Sequence, residues 1–192
     1  DLALYAGVPG PTGAHNWHPM AFNPDTGLVY IPVNEIPFFY DKTRNVDDSK
    51  SFWNLGYDAA AGWPVEYPAG TLDAIADMDG GSLLAWDPVK AEPRWAVPFA
   101  LPLNGGVLST DAGLVFQGNK FGDLVAYDAE TGERLWSEQL VGNAAAAPMT
   151  YEIDGEQFLS VLSGWGSLSN LVAGFTYGQA AGKEPARVIT FK

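Results

Sequence analysis

A chain of 192 residues with 23 acidic and 10 basic side chains carries a net charge of −13, which argues against nucleic acid or an anionic membrane as its partner. It contains no cysteine, so structural disulfides, cysteine zinc sites, a thiol nucleophile and a c-type haem attachment within the chain are excluded. No apolar run approaches the roughly 18–20 residues that span a bilayer, and the first residues, DLALYAGVPGPTG, read as the middle of a mature protein rather than as a signal peptide.

The length fits one domain or a large part of one. Aromatic residues at 13% and 22 glycines suit short strands joined by tight turns. Residues 1–14 form a short apolar piece followed by a Gly/Pro turn region. Residues 17–22 read as a strand, Asn23-Pro24-Asp25-Thr26-Gly27 as a turn and 28–33 as a second strand. Residues 35–79 break this pattern, mixing aromatics with prolines and a charged stretch at 41–50. That segment is too aromatic for a disordered linker and reads as an ordered insertion packed on the body. Further strands follow at 81–87, 94–98, 105–110, 114–118, 123–127 and 134–139. Residues 144–151, 157–163, 171–177 and 188–191 complete the set, with 153–156 as a hairpin turn.

The stretches GGSLLAWDPVKAEPRW (80–95) and FGDLVAYDAETGERLW (121–136) repeat one figure: strand, tight turn, strand, closed by tryptophan. Ten residues separate Ala85 from Trp95 and Ala126 from Trp136, and the copies lie 41 residues apart. A period of about 40–50 residues is that of a β-propeller blade. The expected fold is therefore all-β, in about three blades of four antiparallel strands: residues 15–98 with the insertion 35–79, then 104–139, then 144–191. Propellers close with about four to eight blades, and three would leave open faces and unpaired edges. The chain thus reads as part of a larger propeller, completed by other chain segments or subunits.

In an up-and-down blade, the loop between the second and third strands and the loop leading into the next blade share one face. That face should collect residues 14–17, the insertion, 102–106, 142–145 and 164–170. Asn16, Trp17, Asn104, Asn143 and Trp165 gather there, and Gly105, Gly106, Gly164 and Gly166 would let a ligand approach the backbone. Aromatic walls with amide groups suit a planar, polar, ring-shaped ligand. His15 and His18 lack a third ligand nearby and make a poor metal pair. The stretch 77–80, DMDG, begins like a calcium loop but has no acid at the expected last position. Ser167 is not in a G-x-S-x-G elbow, and neither a P-loop nor a dinucleotide fingerprint is present.

The stretches GAHNWHPMAFNPDTGLVYIP (13–32), LNGGVLSTDAGLVFQGNKFGDLVAYDAETGERLW (103–136) and AAPMTYEIDGEQFLSVLSGWG (146–166) resemble the pyrroloquinoline quinone (PQQ)-dependent alcohol dehydrogenases, the eight-bladed quinoprotein family. The resemblance covers most of the chain outside 35–79, and the tryptophan figure is similar to that family's structural docking motif. It implies the C-terminal part of such a propeller, with Asn16 and Trp17 contacting the quinone and Asn104 facing it. Trp165, between Gly164 and Gly166, would lie beside it. It also implies PQQ and calcium as cofactors, with calcium ligands and the catalytic aspartate in blades outside this chain. No catalytic or metal residue is then expected here, and the segment would be inactive without the missing blades. The further expectations are a small primary or secondary alcohol as substrate, a cytochrome c acceptor, a haem c domain attached elsewhere, homo-oligomer formation and a periplasmic address. The alternative is a non-catalytic quinoprotein-like propeller serving as scaffold or interaction module.

Overall fold

The computed structural model describes residues 4–10, 12–41, 70, 78–164 and 185–192. Thirteen strands run through them: β1 Leu4–Gly7, β2 Ala21–Asn23, β3 Leu28–Asn34, β4 Phe38–Asp41, β5 Gly81–Asp87, β6 Glu92–Phe99, β7 Val107–Ser109, β8 Leu114–Gly118, β9 Asp123–Asp128, β10 Arg134–Gln139, β11 Met149–Ile153, β12 Glu156–Ser163 and β13 Arg187–Phe191. All pairings are antiparallel. They build a first sheet ordered β2-β3-β5-β6, a second ordered β7-β8-β9-β10, a third ordered β11-β12-β13, and a small pair β1-β4.

The hairpins form where the sequence supplies an acceptor side chain at a strand end. Asn23 Oδ1 accepts the N–H groups of Asp25 and Thr26 at 2.9 and 3.3 Å. Asp87 Oδ1 does the same for Val89 and Lys90, both at 3.0 Å. Asp128 Oδ1 accepts from Glu130 and Thr131 N–H at 3.0 and 2.8 Å, and from the Thr131 hydroxyl at 2.9 Å. Each side chain mimics one turn of backbone and reverses the chain locally. The Thr131 hydroxyl, ahead of the backbone N–H groups, holds the Asp128 carboxyl below its ordinary pKa.

The sheets stack face to face in chain order. Leu28, Tyr30, Leu83 and Ala85 of the first sheet meet Val107, Val115, Val125 and Tyr127 of the second. On the other side of the second sheet, Leu124 joins Leu140, Ala144 and Val161, with Ile189 and Phe191 packed against them. The second sheet is thus covered on both faces, which is why the middle of β9, LVAY, is buried without alternation. In β3, with one face in this core, burial alternates strictly.

Trp95 clasps the first sheet to the second. Its indole N–H donates to the Ala129 carbonyl at 3.1 Å, and the Tyr30 hydroxyl donates to the same oxygen at 3.0 Å. The rings of Tyr30 and Trp95 lie 5.7 Å apart. Gly132, with φ +75°, passes beneath the indole, and a β-carbon there would stand 2.7 Å from Trp95 Cδ2. The tryptophan figure therefore has a structural role, fastening one sheet to the turn of the next. Trp136, one repeat later, meets Phe191 of the third sheet edge-on at 5.4 Å.

Three features differ from the sequence reading. Residues 4–7 form a strand and pair with 38–41, the start of the expected insertion. β2 begins at Ala21 rather than residue 17, and β11 at Met149 rather than 144. Pro19 and Pro148 have no N–H for a ladder, and the Pro19 carbonyl instead accepts from Val107 N–H at 2.9 Å. In the third sheet, β12 pairs directly with β13, where the expected order would have put 171–177. Those residues lie outside the described ones.

Candidate functional site

The lead-in segments of the three sheets run side by side. Pro19 O accepts from Val107 N–H, Gly105 N–H donates to Gly118 O at 2.8 Å, and Ala144 N–H donates to Asn119 O at 3.2 Å. Gly105 and Gly106 make this approach possible. A β-carbon on Gly105 would run into the Ala144 carbonyl, and one on Gly106 would sit 2.5 Å from Pro19 Cδ and 2.8 Å from Ala147 Cβ. The room these glycines leave is taken by protein. The same holds at Gly164, which bridges Asn143 through paired backbone bonds of 2.8 and 3.0 Å. A β-carbon there would meet Ala186 Cβ at 2.8 Å.

Asn16 and Trp17 sit on this face before β2. Asn16 Nδ2 donates to Thr12 O at 2.9 Å and the side chain is exposed. Trp17 is 57% exposed, so it is not the core tryptophan that a packing role would require. His18 follows with its ring 5.7 Å from the Trp17 indole. It is only 7% exposed. Burial, then the charges of His15 and Lys120, lower its pKa, so it stands neutral near pH 7.

Asn104 is buried, and both ends of its amide are engaged. Nδ2 donates to Leu101 O at 2.8 Å, and Oδ1 accepts from Lys120 N–H at 3.2 Å. Asn104 therefore anchors the loop carrying Lys120. Asn119 fixes the same loop, accepting Phe121 and Asp123 N–H at 2.9 Å each. Lys120 is half-buried, and burial lowers its pKa. Gln117, directly behind, donates to Gly105 O at 2.8 Å, while its buried Oε1 has no partner among the described residues. Trp165 and Gly166 lie outside the described residues.

Trp17 and His18 adjoin on the segment before β2, and Asn104 holds the backbone of Lys120, whose charge acts on His18. Sequence reasoning weighed His18 only as a metal ligand and passed over Lys120. The signal for both was a basic side chain next to a turn in a strongly acidic chain, His18 one residue past the 14–17 loop and Lys120 between the strands 114–118 and 123–127. Among the described residues no three His, Asp or Glu side chains converge to hold a metal. Two clefts lie elsewhere: one of about 410 Å³ beside Asp25, Asp111 and Asp128 at the hairpin turns, and one of about 540 Å³ between Trp136, Phe158 and Phe191.

Stacked antiparallel sheets, two of four strands and clasped to each other by Trp95 on the turn at Ala129, define a segment of a β-propeller. A family model described as PQQ, glucose/ethanol/alcohol dehydrogenase, beta-propeller domain, matches residues 67–159. The quinohemoprotein alcohol dehydrogenase ADH IIB of Pseudomonas putida is 43% identical over 184 residues, covering 95% of this chain and 25% of its own length. The solved quinohemoprotein alcohol dehydrogenase ADHIIG of Pseudomonas putida HK5 superposes with a TM-score of 0.75 at 36% identity, over 98% of this chain and 28% of its own. That of Comamonas testosteroni gives 0.73 at 39%, over 98% and 27%. The chain belongs to the PQQ-dependent alcohol dehydrogenase propeller family, and it spans about a quarter of the length of these relatives.

Proposed function

We propose that this chain is the C-terminal part of an enzyme that oxidises primary or secondary alcohols to aldehydes or ketones with PQQ, and that its loop face walls part of the quinone chamber. The observation that carries the reading is Trp17, an indole held largely in the open beside Asn16 on the loop face. The donors present fit the group. PQQ offers carbonyl and carboxylate oxygens around a planar ring. Against them this face sets the Asn16 amide, the Trp17 indole, the His18 ring and the Lys120 ammonium. When bound, PQQ supplies a two-electron acceptor for the hydride of the alcohol carbon.

Asn16 would bond a quinone oxygen and Trp17 would pack on or donate to the ring. Trp165, with Gly164 and Gly166, would close the same side. Asn104 would act through the loop it anchors. The base that takes the hydroxyl proton and the calcium ligands are expected outside this chain. Electrons would leave to a cytochrome c or to an attached haem c domain, in the periplasm. A cofactor-free scaffold is the competing reading. The glycine spaces filled by Pro19, Ala144 and Ala186 are what such a scaffold also needs.

Titration of the purified protein with PQQ and calcium, followed by tryptophan fluorescence, separates the two. Saturable quenching is expected, with affinity about tenfold weaker in Asn16→Ala, the loss of one bond to the ligand. A complete propeller particle that shows no quenching would instead be a scaffold.

A further inference from the structure

The loop face holds two basic groups that the proposed function leaves without a task. His18 is buried, yet neither ring nitrogen has a hydrogen bond among the described residues. Lys120 is half-buried, and its ammonium has neither an ion pair nor a hydrogen bond among the described residues. Neither the His18 ring nitrogens nor the Lys120 ammonium is among the atoms sealed from solvent without a partner, so both stay open to a ligand on the loop face. Both belong to a chain of net charge −13, in which Lys120 could readily have met a carboxylate.

Their positions are fixed. The loop 119–122 is pinned by the Asn104 amide to Lys120 N–H, by Asn119, and by Gly122 N–H bonded back to Asn119 O at 3.2 Å. His18 precedes Pro19, which is bonded to the first residue of β7. One group precedes the first sheet and the other lies in the loop between β8 and β9 of the second, near enough for the Lys120 charge to act on His18. The Trp17 indole lies alongside. A ring N–H and an ammonium on two rigid segments, beside an aromatic surface, match a carboxylate attached to a flat ring.

We propose that Lys120 and His18 together bind a carboxylate of the quinone cofactor. The assignment rests on the PQQ reading above. Lys120 gives the charge-assisted bond, and His18, neutral, gives an N–H. Neither takes part in proton transfer.

The test measures the affinity of the purified protein for PQQ and for its trimethyl ester, which keeps the ring and lacks the negative charges. Lys120→Met, which leaves the backbone bond to Asn104 in place, should weaken PQQ binding about tenfold. It should change ester binding less than about twofold, and Lys120→Arg should restore most of the PQQ affinity. Equal losses for both ligands would make Lys120 a structural residue, and no loss for either would remove it from the site. If PQQ affinity held but hydroxy-carboxylate substrates alone lost KM against neutral alcohols, the anion bound would be the substrate's. Each of these three results overturns the assignment. Failure of the unaltered protein to bind PQQ would instead strike the proposed function.

Discussion

Gly132→Ala isolates the tryptophan clasp. The residue has φ +75°, a conformation that costs a residue with a β-carbon about 1–2 kcal/mol. The added methyl would also stand 2.7 Å from two atoms of the Trp95 indole, so the ring must shift. That shift strains its 3.1 Å bond to Ala129 O, worth about 1 kcal/mol net, and overpacks the contact with Tyr30 at a cost of about 1–3 kcal/mol. Gly113 provides the control: φ is +76° and a β-carbon there meets nothing within 4 Å. Gly113→Ala should therefore lose only the backbone cost, about 1–2 kcal/mol, and Gly132→Ala about 3–6 kcal/mol. Urea unfolding of the purified protein, monitored by tryptophan emission, reads both. Equal losses, within about 0.5 kcal/mol, would refute the argument that glycine is needed there for the indole and not merely for φ.

Asn34 Oδ1 accepts from Leu103 N–H at 2.7 Å with both residues buried, so Asn34→Ala should cost about 1–3 kcal/mol by stranding that N–H. An unchanged urea midpoint would show that the N–H finds another acceptor. Burial, opposed by the charge of Arg134 and aided by that of Asp123, pushes the Tyr127 phenol from 10.0 up to about 12. Because the folded pKa is the higher one, this stability is complete below pH 10 and is lost as pH rises through 12, about 3 kcal/mol in all. Tyrosinate absorbance against pH should show this phenol ionising only with unfolding, and a Tyr127→Phe variant should lose less stability over that window.

Legibility followed the range over which the physics acts. The turns at Asn23, Asp87 and Asp128 were plain in the sequence because each acceptor serves N–H groups two and three residues on. The strands 81–87, 114–118 and 134–139 fell where the pattern put them. Pairing between Leu4–Gly7 and Phe38–Asp41 was not visible, since no local turn joins strands so far apart in sequence. The identity of β12's neighbour was hidden for the same reason. At the site, loop topology and family likeness pointed to Asn16, Trp17 and Asn104. What sequence could not show was which side chains have their bonding capacity spent within the protein. The Asn104 amide is engaged at both ends, whereas His18 and Lys120 are not, and only packing across two sheets reveals that difference.

The clasp at Trp95 also has a direction. The indole belongs to one sheet, and the carbonyl it holds lies 34 residues further along the chain. A ribosome emitting this polypeptide would release the first sheet with Trp95 and Tyr30 still uncovered, and only the arrival of Ala129 and Gly132 would cover them. Sheets would then be added in the order of synthesis, each nascent one seated by its predecessor, like links closed one after another. A cut or permutation between Phe99 and Val107 would place the tryptophan and the turn that covers it on separate segments, so the clasp would have to form between them without the short connection that now delivers one to the other.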